Sequence, residues 1–221
     1  MNKIRWKWLN RGVALLVLVL ASPLLAPQLL AFPYHARSGD FSVYSELPID
    51  QAALDSVTEK STALISASPL ARPSEPRRVF LTAGGWRWNW LAFRFRNSFA
   101  LSRPLTEPLI FNRSDLERDR MQAGAGGTAK RSLSGTIAHE SCHGLIRREI
   151  GLDADWTKPA WLREGYCDFV ARESAIDERR AAELRKTDPD HRALVYFDGR
   201  RRVAAELSRN GGDVRAIFAA Y

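Results

Sequence analysis

The hydrophobic pattern changes character partway along the chain. Before residue 132 the apolar positions come in short runs. After it they recur at helical spacing. Residues 33–47 read as loop, then strand, with Phe41, Val43 and Tyr44 fitting a strand at 41–45. Pro48 opens a helix to about Ile65, carried by Ile49, Ala52, Ala53, Val57 and Leu64. Residues 66–78, rich in Ser, Pro and Arg, predict a surface loop. Val79–Leu81 and Leu109–Phe111 are short apolar runs of strand type. Trp86–Arg96 (WRWNWLAFRFR) alternates partly between apolar and basic residues, which predicts a half-buried strand or hairpin. The rival for that stretch is a nucleic-acid surface with aromatics between arginines. Residues 112–131 are polar, and Gly124, Gly126 and Gly127 predict a flexible loop.

From Ser132 the chain reads as helices. Ser132 or Ser134 caps the first, which ends near Gly151. The second runs from about Pro159 to Glu173, with Thr157 as N-cap and Trp156 and Trp161 as a hydrophobic staple. Asp177 to Lys186 is a third. Residues 191–209 form a fourth, with an interruption expected at Gly199 and closure at Asn210–Gly212. Asp213 caps a last short helix. Strands first and helices afterwards predict an α+β domain: a short N-terminal β-sheet region followed by a helical half.

The N-terminus stands apart. Lys3, Arg5, Lys7 and Arg11 precede Gly12–Phe32, a run of 21 residues without charge. Such a run is long enough to span a bilayer as a helix. Trp6 and Trp8 occupy the flank where amphipathic rings favour the membrane interface, and the basic flank orients the remainder outward. Residues 1–32 therefore read as a transmembrane anchor, or as a signal peptide cleaved after Val19-Leu20-Ala21, ahead of a domain at 33–221. The expected location is the membrane, with the domain facing the periplasm or cell exterior; cleavage would make it secreted.

Composition is ordinary for a globular protein, with 45% apolar and 26% charged residues. The net charge of +8 raises the question of a nucleic-acid partner. Half of that excess lies in the N-terminal flank. The remaining 189 residues hold 29 basic and 25 acidic side chains, too mild a balance for a polyanion site, so no nucleic-acid partner is expected.

The candidate chemistry is His139-Glu140-Ser141-Cys142-His143, inside the first C-terminal helix. Residues four apart share one helical face, so both imidazoles can reach one ion. Glu140 is turned about 100° away and can reach a water beside that ion. Glu164, on the next helix, can complete a set of two His and one Glu, the donor set of a catalytic zinc with an open fourth position. Alone, Glu164 would read as a solvated helix acid. The cysteines, Cys142 and Cys167, fall on the two helices of this site. They are candidates for a disulfide in an oxidising compartment, with two reduced buried thiols or a redox-sensitive site as the alternatives.

The order His139-Glu-x-x-His143, then Trp161-Leu-x-Glu164-Gly165, resembles the gluzincin metallopeptidases, including thermolysin-like and peptidase MA-like domains. The resemblance covers about residues 132–173. It implies zinc on His139, His143 and Glu164, with Glu140 as general base in peptide hydrolysis and a peptide or protein as substrate. It also implies that Asp168, four residues past Glu164, accepts a hydrogen bond from His139; an ordinary helix acid is the other reading. An oxyanion-stabilising group is expected beyond the zinc Glu. Tyr196 is first choice, then His191, then Tyr166, and core packing of Tyr196 is the alternative. The G-x-M-E-N segment of the aminopeptidase branch is absent, which favours an endopeptidase. The strand at 109–111 is the candidate edge for pairing with an extended peptide. A non-catalytic zinc-binding or scaffold protein on a peptidase-like fold is the rival function.

Overall fold

A computed structural model describes residues 3–122 and 131–221, with side chains from Asn10 onward. The glycine-rich loop expected at Gly124, Gly126 and Gly127 lies outside the described residues, as do the side chains of Trp6 and Trp8.

The architecture is α+β. In chain order the elements are α1 (Lys3–Ala21), β1 (Tyr34–Ser38), β2 (Phe41–Ser45), α2 (Gln51–Ser66), β3 (Arg77–Leu81) and α3 (Trp86–Ala92). Then follow β4 (Ala100–Ser102), β5 (Leu109–Phe111), β6 (Ser114–Asp115) and β7 (Arg120–Met121). The C-terminal half is helical: α4 (Leu133–Glu149), α5 (Ala154–Thr157), α6 (Ala160–Ala171), α7 (Glu178–Thr187), α8 (Arg192–Arg209) and α9 (Val214–Ala220).

Five strands form one mixed sheet in the order β1-β2-β3-β5-β4. β1 and β2 are an antiparallel hairpin, and β2, β3 and β5 run parallel. β4 returns antiparallel to β5 and makes one edge. Alternation along the strands sorts side chains between two faces. Val79, Leu81, Leu109 and Phe111 join the main core with Leu54 and Val57 of α2, Ile137 and Leu145 of α4, and Tyr166 of α6. Phe80 and Ile110 face the other way, onto Trp88 and Leu91 of α3, with Leu30 and Phe32 packed alongside. The site helices and α3 therefore lie on opposite faces of the sheet.

The caps are local and explicit. Asp50, Ser132, Asp177 and Asp213 each accept a backbone N–H three residues on, satisfying donors that a helix start leaves bare.

Several sequence expectations are corrected. Trp86–Arg96 is a helix and a 3-10 turn at Phe93–Phe95, because Trp88, Leu91 and Ala92 bury together at helical spacing. Leu109–Phe111 is no edge; it is enclosed by β3 and β4, and the edge beside α4 is β4. Thr157 ends α5, Pro159 stands at the N-cap of α6, and Trp156 is exposed, so the staple is not made. α8 runs unbroken through Gly199.

The uncharged N-terminal run is divided. α1 ends at Ala21, and Pro23 and Pro27 then start two 3-10 turns, Ser22–Leu24 and Pro27–Leu30. No helix among the described residues is long and apolar enough to cross a membrane.

Candidate metal centre

α4 supplies two of the three candidate ligands. Every residue from Leu133 to Arg147 is buried, polar ones included. α6 packs beside it with Glu164 facing the two imidazoles, and α8 closes over α6. A glycine pair sets that last spacing. A Cβ at Gly165 would stand 2.3 Å from the carbonyl carbon of Gly199, and a Cβ at Gly199 would stand 2.3 Å from the Trp161 carbonyl oxygen. Backbone cannot yield as a flexible side chain does, so only glycine fits at either position. The expected break at Gly199 is instead a point of closest helix approach.

His139, His143 and Glu164 offer one donor atom each, all within 4.8 Å of one another. Oε2 of Glu164 lies 3.4 Å from His139 Nε2 and 3.5 Å from His143 Nε2. Donors on a tetrahedral ion, at bonds of about 2.0–2.1 Å, stand about 3.4 Å apart. Both histidine-to-glutamate separations match that value, and the donor chemistry suits a zinc ion.

A second ring of groups orients these ligands. Asp168, fully buried, puts Oδ1 2.8 Å from His139 Nδ1, off the axis of a straight N–H bond. The same oxygen accepts from Arg131 Nη2 at 2.5 Å. Asp155 stands 3.9 Å from His143 Nδ1, beyond hydrogen-bond reach, and takes a 2.9 Å bond from Arg147. Arg163 lies 3.8 Å from the other Glu164 oxygen.

The charges here are strongly biased. Burial alone would lower both imidazole pKa values. Asp168 and Glu164 outweigh it at His139, and Cys167 and Glu164 do so at His143, so both stand well above the usual range. Burial alone would raise Glu164, yet the two histidines hold it well below the usual carboxylate range. Asp168 is likewise held low against burial, by His139 and Arg131. The two carboxylates stay ionised beside the imidazoles.

Glu140 is buried on α4 and borders a cleft of about 610 Å³. His139, His143, Glu164, Tyr196 and the edge strand β4 line the same cleft. The Tyr196 ring stacks near His139, centroids 6.4 Å apart, and its hydroxyl accepts a hydrogen bond from Arg192. Burial pushes the Tyr196 pKa upward, which keeps the phenol a neutral donor. His191 also lines the cleft, but its Nδ1 accepts the Ala193 N–H at the start of α8. Tyr166 is removed from the site: its hydroxyl bonds to Ser68 at 2.6 Å in the core.

Cys142 and Cys167 are free, buried thiols, so the bridge raised as an option from the sequence is not formed. Burial raises the pKa of both.

Sequence reasoning missed Arg131, Arg147 and Asp155. Arg147 had a signal: it lies four residues after His143, on the same helical face. Arg131 and Asp155 are brought in by the fold, from loop and short-helix positions that no spacing marks.

The site is therefore a buried His139/His143/Glu164 triad on two helices, consistent with a zincin-like centre. No protein-family model matches the chain, and no curated protein matches its sequence.

Proposed function

We propose that the protein is a zinc-dependent metallopeptidase, acting as an endopeptidase outside the cytoplasm. The observation that carries this reading is the convergence of His139, His143 and Glu164 at tetrahedral donor spacing, with Glu140 beside them at an open cleft. Zinc bound there supplies Lewis acidity to a water and to the scissile carbonyl. Glu140 takes the water proton and delivers it to the leaving amine. Asp168 fixes the His139 tautomer by accepting from Nδ1, and Arg131 keeps Asp168 ionised. Tyr196 offers its phenol to the developing oxyanion.

The outer edge of β4 lines the cleft, and an extended peptide pairs there by adding a strand. From Val13 to Leu20, α1 presents apolar side chains to solvent, which supports either membrane attachment or export with removal of the helix. Its last residue, Ala21, is also the expected cleavage point, and Pro23 just after it is buried.

The test is a peptide-cleavage screen on zinc-loaded wild type and Glu140→Gln. The variant should keep its zinc and lose about 10²–10⁴-fold in rate, the size of a general-base contribution. Cleavage at the wild-type rate by Glu140→Gln contradicts the mechanism.

A further inference from the structure

The stretch from Trp86 to Arg96 takes no part in the metal centre except through Phe95, at the cleft rim. Its inner side is accounted for by Trp88, Leu91 and Ala92, packed on Phe80 and Ile110. Its outer side is not. Trp86, Trp90, Phe93 and Phe95 are 58%, 42%, 67% and 59% exposed. Phe93 sits at φ 45°, in the left-handed region that a bulky residue rarely adopts. Arg94 and Arg96 stand exposed among these rings, without a side-chain partner among the described residues. No acidic residue occurs between Glu75 and Glu107.

Single exposed apolar side chains are ordinary; four large aromatics on one short segment are not. Indole rings favour the boundary between headgroups and acyl chains, and arginines nearby favour anionic headgroups. The surroundings point the same way. The segment after α1 docks against this part of the molecule: Leu30 and Phe32 pack on the α3 core. Arg87 donates Nε to the Leu30 carbonyl at 2.8 Å and Nη2 to the Ala31 carbonyl at 3.0 Å. The chain thus leads from an exposed apolar helix straight to an exposed aromatic and basic surface. A nucleic-acid face would share the arginines and rings but has no use for that continuity.

We propose that the α3 surface, Trp86, Trp90, Phe93 and Phe95 with Arg94 and Arg96, is a contact site for an anionic lipid bilayer. It seats the folded domain on the membrane independently of α1, in the manner of an interfacial helix. This does not depend on the metal-site reading. Because Phe95 is shared with the cleft, the seated bilayer lies at the cleft rim.

The experiment uses the full chain with Leu16→Gln, Leu18→Gln and Leu20→Gln, so that insertion of α1 does not mask the contact. Co-sedimentation is measured with phosphatidylcholine vesicles, with and without phosphatidylglycerol. This chain should bind the anionic vesicles. Adding Arg94→Gln and Arg96→Gln should weaken binding by roughly thirtyfold, the loss expected for two surface charges facing anionic headgroups. Adding Trp86→Ser, Trp90→Ser, Phe93→Ser and Phe95→Ser should abolish it, with the circular dichroism spectrum unchanged. In the otherwise natural chain, Phe93→Cys carrying a polarity-sensitive dye should shift to the blue on vesicle addition; the native thiols are buried and escape labelling. Absence of vesicle binding by the α1 variant, indifference to the aromatic substitutions, or an unshifted dye overturns the proposal. So does tighter, ring-dependent binding to a single-stranded oligonucleotide than to the vesicles.

Discussion

Two helices of similar length invert the usual rule of burial. α4, 17 residues, carries Ser134, Thr136, His139, Glu140, Ser141, His143 and Arg147, and all of them are buried. α1, 19 residues, carries Val13 and Leu15 through Leu20 at 48–67% exposure. Polar groups are buried only where partners receive them. α4 has such partners within the chain for several of these groups, while Ser141 Oγ and His139 Nδ1 are left without a straight hydrogen bond among the described residues. Ser61 donates to the Ser134 carbonyl, Thr136 to Ser132, and Arg147 to Asp155, while His139 faces Asp168. The apolar side chains of α1 from Val13 to Leu20 lie exposed. The first helix is explained from inside the molecule; the second asks for something outside it.

The sharpest way to break this contrast is at the α4 side. Asp168→Ala leaves Arg131 buried without its counter-charge, and breaking such a pair costs about 3–5 kcal/mol. Thermal or urea denaturation should show that loss in metal-free protein. A smaller effect is expected one layer out. Gly199→Ala forces a methyl against the Trp161 carbonyl and should destabilise by about 1–3 kcal/mol, the range for overpacking. It should also weaken zinc binding, since α6 carries Glu164. The smallest effect belongs to α1. Leu18→Gln, at 67% exposure, should change the stability of the fold by less than about 0.5 kcal/mol. A loss comparable to that of Asp168→Ala would mean that Leu18 packs within the chain after all.

The two halves differed in how far they could be read from sequence. α4 and α6 were legible because their information is local: His139 and His143 share a face by spacing, and Ser132 marks the helix start. Of the outer ring, Asp168 was legible from its spacing to Glu164, but Arg131 was not, because it lies 37 residues before Asp168 and the two meet only in the folded chain. α3 was misread because a partial alternation of aromatic and basic residues satisfies the strand period. The positions that bury, Trp88, Leu91 and Ala92, follow the helical one. Gly199 was misread as a local breaker, whereas its reason lies across the interface at Gly165. β4 was missed altogether. Ala100-Leu-Ser102 lacks the unbroken run of large apolar residues that marked Leu109–Phe111, and that strand, not β5, borders the cleft.

The central claim is that the two histidines and the glutamate bind one ion. The direct measurement is zinc content per chain after equilibrium dialysis, for wild type, His143→Ala and Glu164→Gln. The account predicts about one zinc in the wild type, as a single three-ligand site requires, and little or none in either variant. Wild-type protein that holds no zinc, or variants that hold as much as the wild type, would contradict it.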